Sequence, residues 1–240
     1  DRNRPQRYRS QKLKLALTAA LLCLGITPLA AQVGSEPDKS PYQDYTYHED
    51  LAVFGGYFGG AKGEATVGPQ SGPIIGVRYG IHVGGPVELS ARLGRISSDR
   101  NVLDPQKTGA ARNLGTVSDP IWTGDVGVNI ALTGQKSYHH FVPLFAFGLG
   151  FARSGSSPDV GGYSFGTTFA IHFGGSLKFV THGPFGARLD VSDFIWQLGY
   201  PSNYFLAPTG GTAILAQDQA QNQWTHNPVI TLGISYIFAR

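Results

Sequence analysis

The sequence predicts an all-β protein, an eight-stranded antiparallel up-and-down transmembrane β-barrel. Apolar residues alternate with small or polar residues in eight stretches of about ten residues, the length that a tilted strand needs to cross a bilayer. The connections between these stretches alternate long and short. The face opposite the apolar one holds too few bulky side chains to pack a core, so the apolar face is expected to meet lipid.

The last stretch, residues 227–240, shows the alternation most clearly. One face carries Pro228, Ile230, Leu232, Ile234, Tyr236 and Phe238, and the other carries Val229, Thr231, Gly233, Ser235 and Ile237. A period of two residues predicts a strand with one apolar face.

Residues 1–31 are predicted to be a secretory signal peptide that is cleaved after Ala31. Six basic residues precede a short apolar run, Leu15 to Ile26, and small residues follow it. The run is shorter than the roughly 20 residues that a membrane-spanning helix needs. A buried N-terminal helix is the alternative interpretation.

The leader also contains much of the positive charge. Six of the 19 Lys and Arg residues but only one of the 16 Asp and Glu residues lie in it, so the remainder of the chain is slightly acidic. A nucleic-acid partner is therefore not expected. The single Cys, Cys23, lies in the leader too, so no disulfide is expected in the mature chain.

The rest of the chain is interpreted as one barrel preceded by a short tail. Residues 32–48 are predicted to be a flexible periplasmic segment, and residues 49–240 the outer-membrane β-barrel. The predicted strands are 49–59, 73–83, 87–94, 125–132, 141–151, 167–179, 185–192 and 227–240, and the long loops are 60–72, 97–119, 153–162 and 199–223. With the N-terminus in the periplasm, the short turns face the periplasm and the long loops face outward.

The stretches GGSLKFVTHGPFGARLDVSDF (174–194) and PVITLGISYIF (228–238) resemble the small eight-stranded bacterial outer-membrane β-barrel family, typified by the membrane domain of OmpA and by OmpX. The resemblance covers nearly all of residues 49–240. It implies the outer membrane of a Gram-negative-type bacterium as the location, with outer-membrane lipid and lipopolysaccharide as surroundings. It also implies that the insertion machinery reads the aromatic C-terminal strand. The family contains anchors, adhesins, channels and lipid-modifying enzymes, so the activity stays open.

Aromatic residues cluster at the ends of the predicted strands. The three tryptophans, Trp122, Trp196 and Trp224, are expected at the outer ends, in an interfacial belt. Tyr236 and Phe238 are expected at the periplasmic rim, together with Tyr138, Phe141, Phe179 and Phe185.

The inward faces of the predicted strands collect charged side chains. We expect an ion-pair network across the lumen, formed by Arg78, Glu88, Arg92, Asp125, Lys178, Arg188 and Asp190, with His82 and His172 also facing inward. An eight-stranded barrel is just wide enough for its own side chains to fill it. This favours a structural or surface-interaction role, and a narrow channel for small or apolar solutes is the first alternative.

A lipid-A-modifying enzyme is the second alternative. Residues 162–166 match the G-x-S-x-G pattern around Ser164, but no helix is predicted after it, and His172 faces inward. The adjacent His139 and His140 are expected to point apart on an extended chain. No catalytic residue, metal site or cofactor is therefore predicted.

The long outer loops are the remaining place for function. Loop 97–119 mixes both signs of charge, and loop 199–223 holds the apolar groups 204–206 and 213–215 in polar surroundings. These loops either bind an extracellular ligand, such as a host surface, a polysaccharide or another protein, or form a solvated cover. A soluble lipocalin-like barrel, with the apolar faces turned inward, is the alternative fold.

Overall fold

The computed structural model describes residues 40–45, 47–181 and 183–239. Its strands are β1 (Tyr42–Asp44), β2 (Glu49–Phe58), β3 (Gly72–Gly84), β4 (Val87–Ile96), β5 (Asp99–Leu103), β6 (Asn113–Ser118), β7 (Ile121–Ala131), β8 (Lys136–Tyr138), β9 (Phe141–Ser154), β10 (Thr167–Val180), β11 (Phe185–Gly199) and β12 (Asn222–Ala239). Two short 3-10 turns, Gly109–Arg112 and Ser202–Phe205, lie in the loops. Over the described ranges, no helix is long and apolar enough to cross a bilayer. The predicted signal peptide lies outside the described residues.

Eight of these strands close into a barrel. The order is β2, β3, β4, β7, β9, β10, β11 and β12, and every neighbouring pair is antiparallel. The last barrel strand, β12, pairs with the first barrel strand, β2, from Val229 opposite Phe58 to Ile237 opposite Asp50, and this pairing closes the sheet. The predicted eight-stranded up-and-down barrel is therefore confirmed.

The alternation of the sequence places the apolar residues on the outside. On β12, Leu232 is 62% exposed, whereas its inward neighbours Thr231 and Ser235 are buried. Phe169 and Phe173 of β10 are also on the outer surface, while Glu88 and Arg188 are only 2% and 5% exposed inside. The lipocalin-like alternative is therefore wrong, because it requires the opposite placement.

The two ends of the barrel differ in their connections. At one end, called the turn end, β3 joins β4 through Gly85 and Pro86, and β10 joins β11 through residues 181–184. Gly84 and Gly85 have φ values of 126° and 57°, which favour glycine in such a tight turn. The opposite end, called the loop end, carries the four connections 59–71, 97–120, 155–166 and 200–221, and the second of these contains the β5–β6 hairpin.

Part of the segment predicted to be flexible is folded onto the turn end. Strand β1 pairs with β8, with Tyr42 opposite Tyr138 and Asp44 opposite Lys136. Tyr47 is buried at the turn end of the lumen. Pairing with β8 and burial of the Tyr47 ring thus place these residues against the barrel. The flexible segment over residues 32–48 as a whole stays a prediction.

Close contact between neighbouring strands explains one of the glycines inside the barrel. A Cβ atom on Gly150 of β9 would lie 1.9 Å from the carbonyl oxygen of Gly124 on β7. No side chain fits at that distance, so glycine lets the strands coil closely around the narrow lumen.

The outward apolar face predicts a strong dependence on the surrounding medium. We expect Leu232→Arg to lower the free energy of unfolding in lipid vesicles by about 2 to 4 kcal/mol, the cost of an arginine near the bilayer midplane. Leu206→Arg is the matched control, because Leu206 is 63% exposed in a loop and should change stability by less than about 0.5 kcal/mol. Urea titration in vesicles measures both values, and equal losses would contradict contact between β12 and hydrocarbon.

Candidate functional site

The charged residues inside the barrel converge on Arg188 of β11. Its guanidinium donates to Glu88 from Nη1 at 3.1 Å and to Asp190 from Nε at 2.9 Å. Its Nη2 donates to Asn129 Oδ1 at 3.1 Å and to Ser176 Oγ at 2.9 Å. Four partners from four strands therefore hold one cation in place.

Glu88 of β4 is the second centre of this cluster. Besides Arg188, it accepts hydrogen bonds from Lys178 Nζ at 3.1 Å and from Asn129 Nδ2 at 2.7 Å. The hydroxyl of Tyr47 donates to the same carboxylate from the turn end. The ammonium of Lys178 lies 3.8 Å from the centre of the Tyr47 ring, so the tyrosine covers the cluster on its turn-end side.

Asp190 and Asp125 pair with two further arginines. Arg78 of β3 donates to Asp190 at 2.8 Å, and Arg92 of β4 contacts Asp125 of β7 through three hydrogen bonds of 2.9 to 3.1 Å. The Arg92 guanidinium also lies 5.3 Å from the centre of the Phe194 ring. Such fork-shaped contacts are the strongest form of an arginine–carboxylate pair.

The predicted network of buried ion pairs is therefore present, and it contains one residue that the alternation of the sequence did not predict. Asp50 of β2 lies 3.2 Å from Lys178 Nζ. With it, four cations face four carboxylates: Arg78, Arg92, Lys178 and Arg188 against Asp50, Glu88, Asp125 and Asp190. The interior is balanced in charge, as burial in a narrow tube requires.

The inward histidines lie beside aromatic rings. The His172 ring lies 5.2 Å from that of Phe194, and the His82 ring lies 5.5 Å from that of Tyr47. Within the described ranges, no group of three or more His, Cys, Asp or Glu side chains is placed to hold a metal ion. His139 and His140 form a turn with positive φ and pack against different rings, those of Tyr138 and Phe179.

Trp196 corrects the predicted interfacial belt. It is fully buried, at 0% exposure, and its ring stacks on Phe58 and Phe194 and meets Phe165 edge-on. The physical reason is strand parity, because β11 runs on to Gly199 and its even-numbered residues face inward. Trp122 and Trp224 are 48% and 50% exposed on the outer surface near the loop end, and Tyr236 and Phe238 are exposed near the turn end.

The aromatic cluster around Trp196 continues into the loops. Tyr163, Tyr200, Tyr204, Leu215 and Val67 are buried and belong to the same hydrophobic cluster as Phe58 and Trp196. The four loop-end connections thus form a folded unit, here called the loop cap (residues 59–71, 97–120, 155–166 and 200–221). In the apolar groups 204–206 and 213–215, Tyr204 and Leu215 supply this core, while Leu206 stays exposed.

Arg100 of β5 fixes the loop cap through two carboxylates. It contacts Asp119 at 2.9 Å and Asp159 at 2.5 Å, and its guanidinium lies 5.3 Å from the centre of the Tyr163 ring. Burial acts to lower the pKa of Arg100, but the two carboxylates outweigh it and raise this pKa. Asp159 also accepts hydrogen bonds from the backbone N–H groups of Gly161 and Tyr163. Because Arg100 lies in connection 97–120 and Asp159 in connection 155–166, their ion pair joins two loops.

The candidate nucleophile Ser164 lies in loop 155–166. Gly162 and Gly166 have φ values of 79° and 64°, and β10 follows directly in place of a helix. The histidine–carboxylate pair on the outer surface joins His226 Nδ1 to Asp193 Oδ2 at 2.6 Å. In the part of the chain that the structure describes, no serine, threonine or cysteine side chain is hydrogen-bonded to His226 or His172.

These features define a class of structure: a small closed β-barrel with an apolar outer surface, a charge-balanced interior and a folded loop cap. No family model and no curated protein matches the sequence. Solved structures with a similar fold include the crystal structure of Neisserial surface protein A (NspA), at 11% identity and a TM-score of 0.46, over 83% of this chain and 98% of that chain.

Two structures of the Yersinia pestis outer membrane protein Ail are also similar to this chain. Its backbone structure in a phospholipid bilayer nanodisc matches at 12% identity and a TM-score of 0.38, over 80% of this chain and 100% of that chain. Its crystal structure in complex with the heparin analogue sucrose octasulfate matches at 11% identity and a TM-score of 0.36, over 80% and 99%.

The central cluster predicts a large effect of removing one partner. We expect Arg188→Ala to lower the free energy of unfolding by about 3 to 5 kcal/mol, because Glu88 and Asp190 would each lose a buried partner. Arg112→Ala is the matched control, since Arg112 donates to backbone carbonyls of the loop cap and forms no ion pair with any residue that the structure describes. Urea unfolding in vesicles measures the free energy of unfolding of both variants. An equal free energy of unfolding for Arg188→Ala and the parent protein would contradict a stabilising role of the cluster.

The loop cap predicts a separable effect. We expect Arg100→Ala to loosen the contact between loops 97–120 and 155–166 while the barrel below keeps its eight strands. Limited proteolysis should therefore cut these loops faster in the variant, whereas the SDS-resistant barrel band should stay. Unchanged cleavage rates would show that the cap does not depend on this arginine.

Proposed function

We propose that the protein is an outer-membrane β-barrel of a Gram-negative-type bacterium, with a structural or surface-interaction role. In this proposal the barrel is a sealed, rigid support, and the loop cap is the part that meets the cell exterior. The observation that carries it is the filled interior, in which buried ion pairs and stacked aromatic rings occupy the lumen.

The outer surface supports the membrane location. Exposed apolar side chains surround the barrel, and Trp122 and Trp224 lie near one end of this band. Exposed aromatic side chains lie near the other end: Tyr138, Phe141, Phe185, Tyr236 and Phe238. Two aromatic levels that border an apolar band are typical of outer-membrane barrels. The aromatic C-terminal strand would be the part that the insertion machinery recognises.

The interior supports a sealed barrel rather than a narrow channel. Tyr47 covers the turn-end side of the ion-pair cluster, and its loop-end side is covered by Phe58, Phe194 and Trp196. Each of the four cations in the cluster contacts at least one carboxylate. Opening a path for a solute would break several of these contacts at once, which is costly in a low-dielectric interior.

The loop cap supports a role in surface interaction. Its own hydrophobic core and the Arg100 cluster hold it in one shape, which lowers the entropy cost of binding a partner. Several apolar side chains remain exposed on this rigid unit, namely Leu114, Val117, Val160 and Leu206. We propose that they contribute to contact with an extracellular ligand. The loop of Ser164 leads directly into β10 in place of a helix, which is an argument against the lipid-modifying enzyme alternative.

The membrane location is tested by extraction and gel migration. We expect the protein to stay with the membrane fraction during carbonate extraction and to run at a different position in SDS gels before and after boiling. Release by carbonate together with a single gel position would contradict an inserted barrel.

The sealed interior predicts the absence of conductance. In a planar bilayer, we expect the inserted protein to give no stepwise current, because the lumen is filled. Heat-modifiable migration of the same sample is the control that the barrel is folded. Reproducible single-channel steps from folded protein would favour the narrow-channel alternative.

A further inference from the structure

Two arginines flank a tryptophan on the outer surface near the loop end. Arg95 of β4 lies directly opposite Trp122 of β7, and Trp122 lies directly opposite Arg153 of β9. All three side chains are on the exposed face of the barrel. This row of three residues is called the Arg–Trp–Arg row below.

The register fixes the spacing of the row. Neighbouring strands lie about 4.8 Å apart, so the two arginine backbones are about 10 Å apart with the indole between them. The next outward row toward the turn end consists of Leu93, Gly124 and Phe151, in the same register. Leu93 and Phe151 are exposed and apolar. The arginines therefore lie at the edge of the apolar band, where long cationic side chains can reach the polar layer.

Neither arginine of the row has a carboxylate partner in the described part of the chain. The two aspartates nearest to Trp122 in sequence, Asp119 and Asp125, are buried and pair with Arg100 and Arg92 instead. Among the described residues, six ion pairs lie inside the barrel and two join Arg100 to its aspartates, and none of these eight includes Arg95 or Arg153. Two cations thus flank Trp122 at an apolar boundary, where the described residues supply no counter-charge.

We propose that the Arg–Trp–Arg row binds the phosphate group of a membrane lipid in the leaflet at the loop end. The guanidinium groups suit a phosphate because each can donate two parallel hydrogen bonds to its oxygens. Trp122 lies at headgroup level, and the acyl chains extend over Leu93 and Phe151 toward the turn end. The inference rests on the proposed membrane location and adds to it a defined site and ligand class.

The test uses the full chain, refolded in detergent micelles. Native mass spectrometry counts bound lipid during titration with a diphosphorylated glycolipid of lipid A type, and with its dephosphorylated form. We expect the parent protein to prefer the phosphorylated lipid. The affinity of the double variant Arg95→Gln/Arg153→Gln for this lipid should be at least about tenfold lower, since each basic residue near an anionic surface contributes about 1 kcal/mol to binding.

Lys62→Gln/Lys107→Gln is the matched control. It removes the same charge from the loop cap, at positions in connections 59–71 and 97–120, and should bind the lipid like the parent protein. An equal loss in both double variants would show a general charge effect and overturn the site. Unchanged affinity in Arg95→Gln/Arg153→Gln would overturn it as well.

Inorganic phosphate separates the two possible sources of the anion. A large excess of it should displace little lipid, because the acyl chains add apolar contact that a free ion lacks. Full displacement would identify a free-anion site and overturn the lipid assignment. A parent protein without heat-modifiable migration would instead contradict the proposed membrane barrel, so the two failures are distinguishable.

Discussion

Closure of the sheet between β12 and β2 is the constraint on which the rest of the structure depends. It satisfies the backbone hydrogen bonds of every barrel strand, so the outer surface can be apolar all the way round. The same closure places the other face of each strand inside a tube of fixed, small width. Any charge that the sequence places there must therefore find a partner from another strand.

The ion pairs of the interior connect strands that are far apart around the sheet. Glu88 on β4 contacts Arg188 on β11 and Lys178 on β10, while Arg78 on β3 contacts Asp190 on β11. Backbone pairing joins only neighbouring strands, so these contacts are what ties opposite walls together. The lumen charges lie on β2, β3, β4, β7, β10 and β11, and a shift of any of these strands by one residue would turn its charged side chains toward the outside. The cluster thus favours one register for the whole barrel, and the aromatic stack around Trp196 does the same nearer the loop end.

The strands and the ion pairs could be predicted because a period of two residues separates inside from outside. The prediction was incomplete where this signal weakens. Asp50 was missed because Gly55 and Gly56 blur the alternation of β2, and Trp196 was misplaced because its residue type outweighed its inward parity. The Arg100 cluster could not be predicted, since loops have no period and its partners, Asp119 and Asp159, lie in different connections.

Among the residues that the structure describes, arginines in the lumen, in the loop cap and on the outer surface show how the fold treats charge. Arg188 in the lumen and Arg100 in the loop cap are buried, and each contacts two carboxylates of the chain. Arg95 and Arg153 face outward, and no carboxylate of residues 40–45, 47–181 or 183–239 pairs with them. Inside, the desolvation of an unpaired cation would be too costly, so the chain supplies its own anions. At the edge of the apolar band the surroundings can supply the anions. An arginine there stays solvated and pays little desolvation cost, so it remains available to pair with a phosphate.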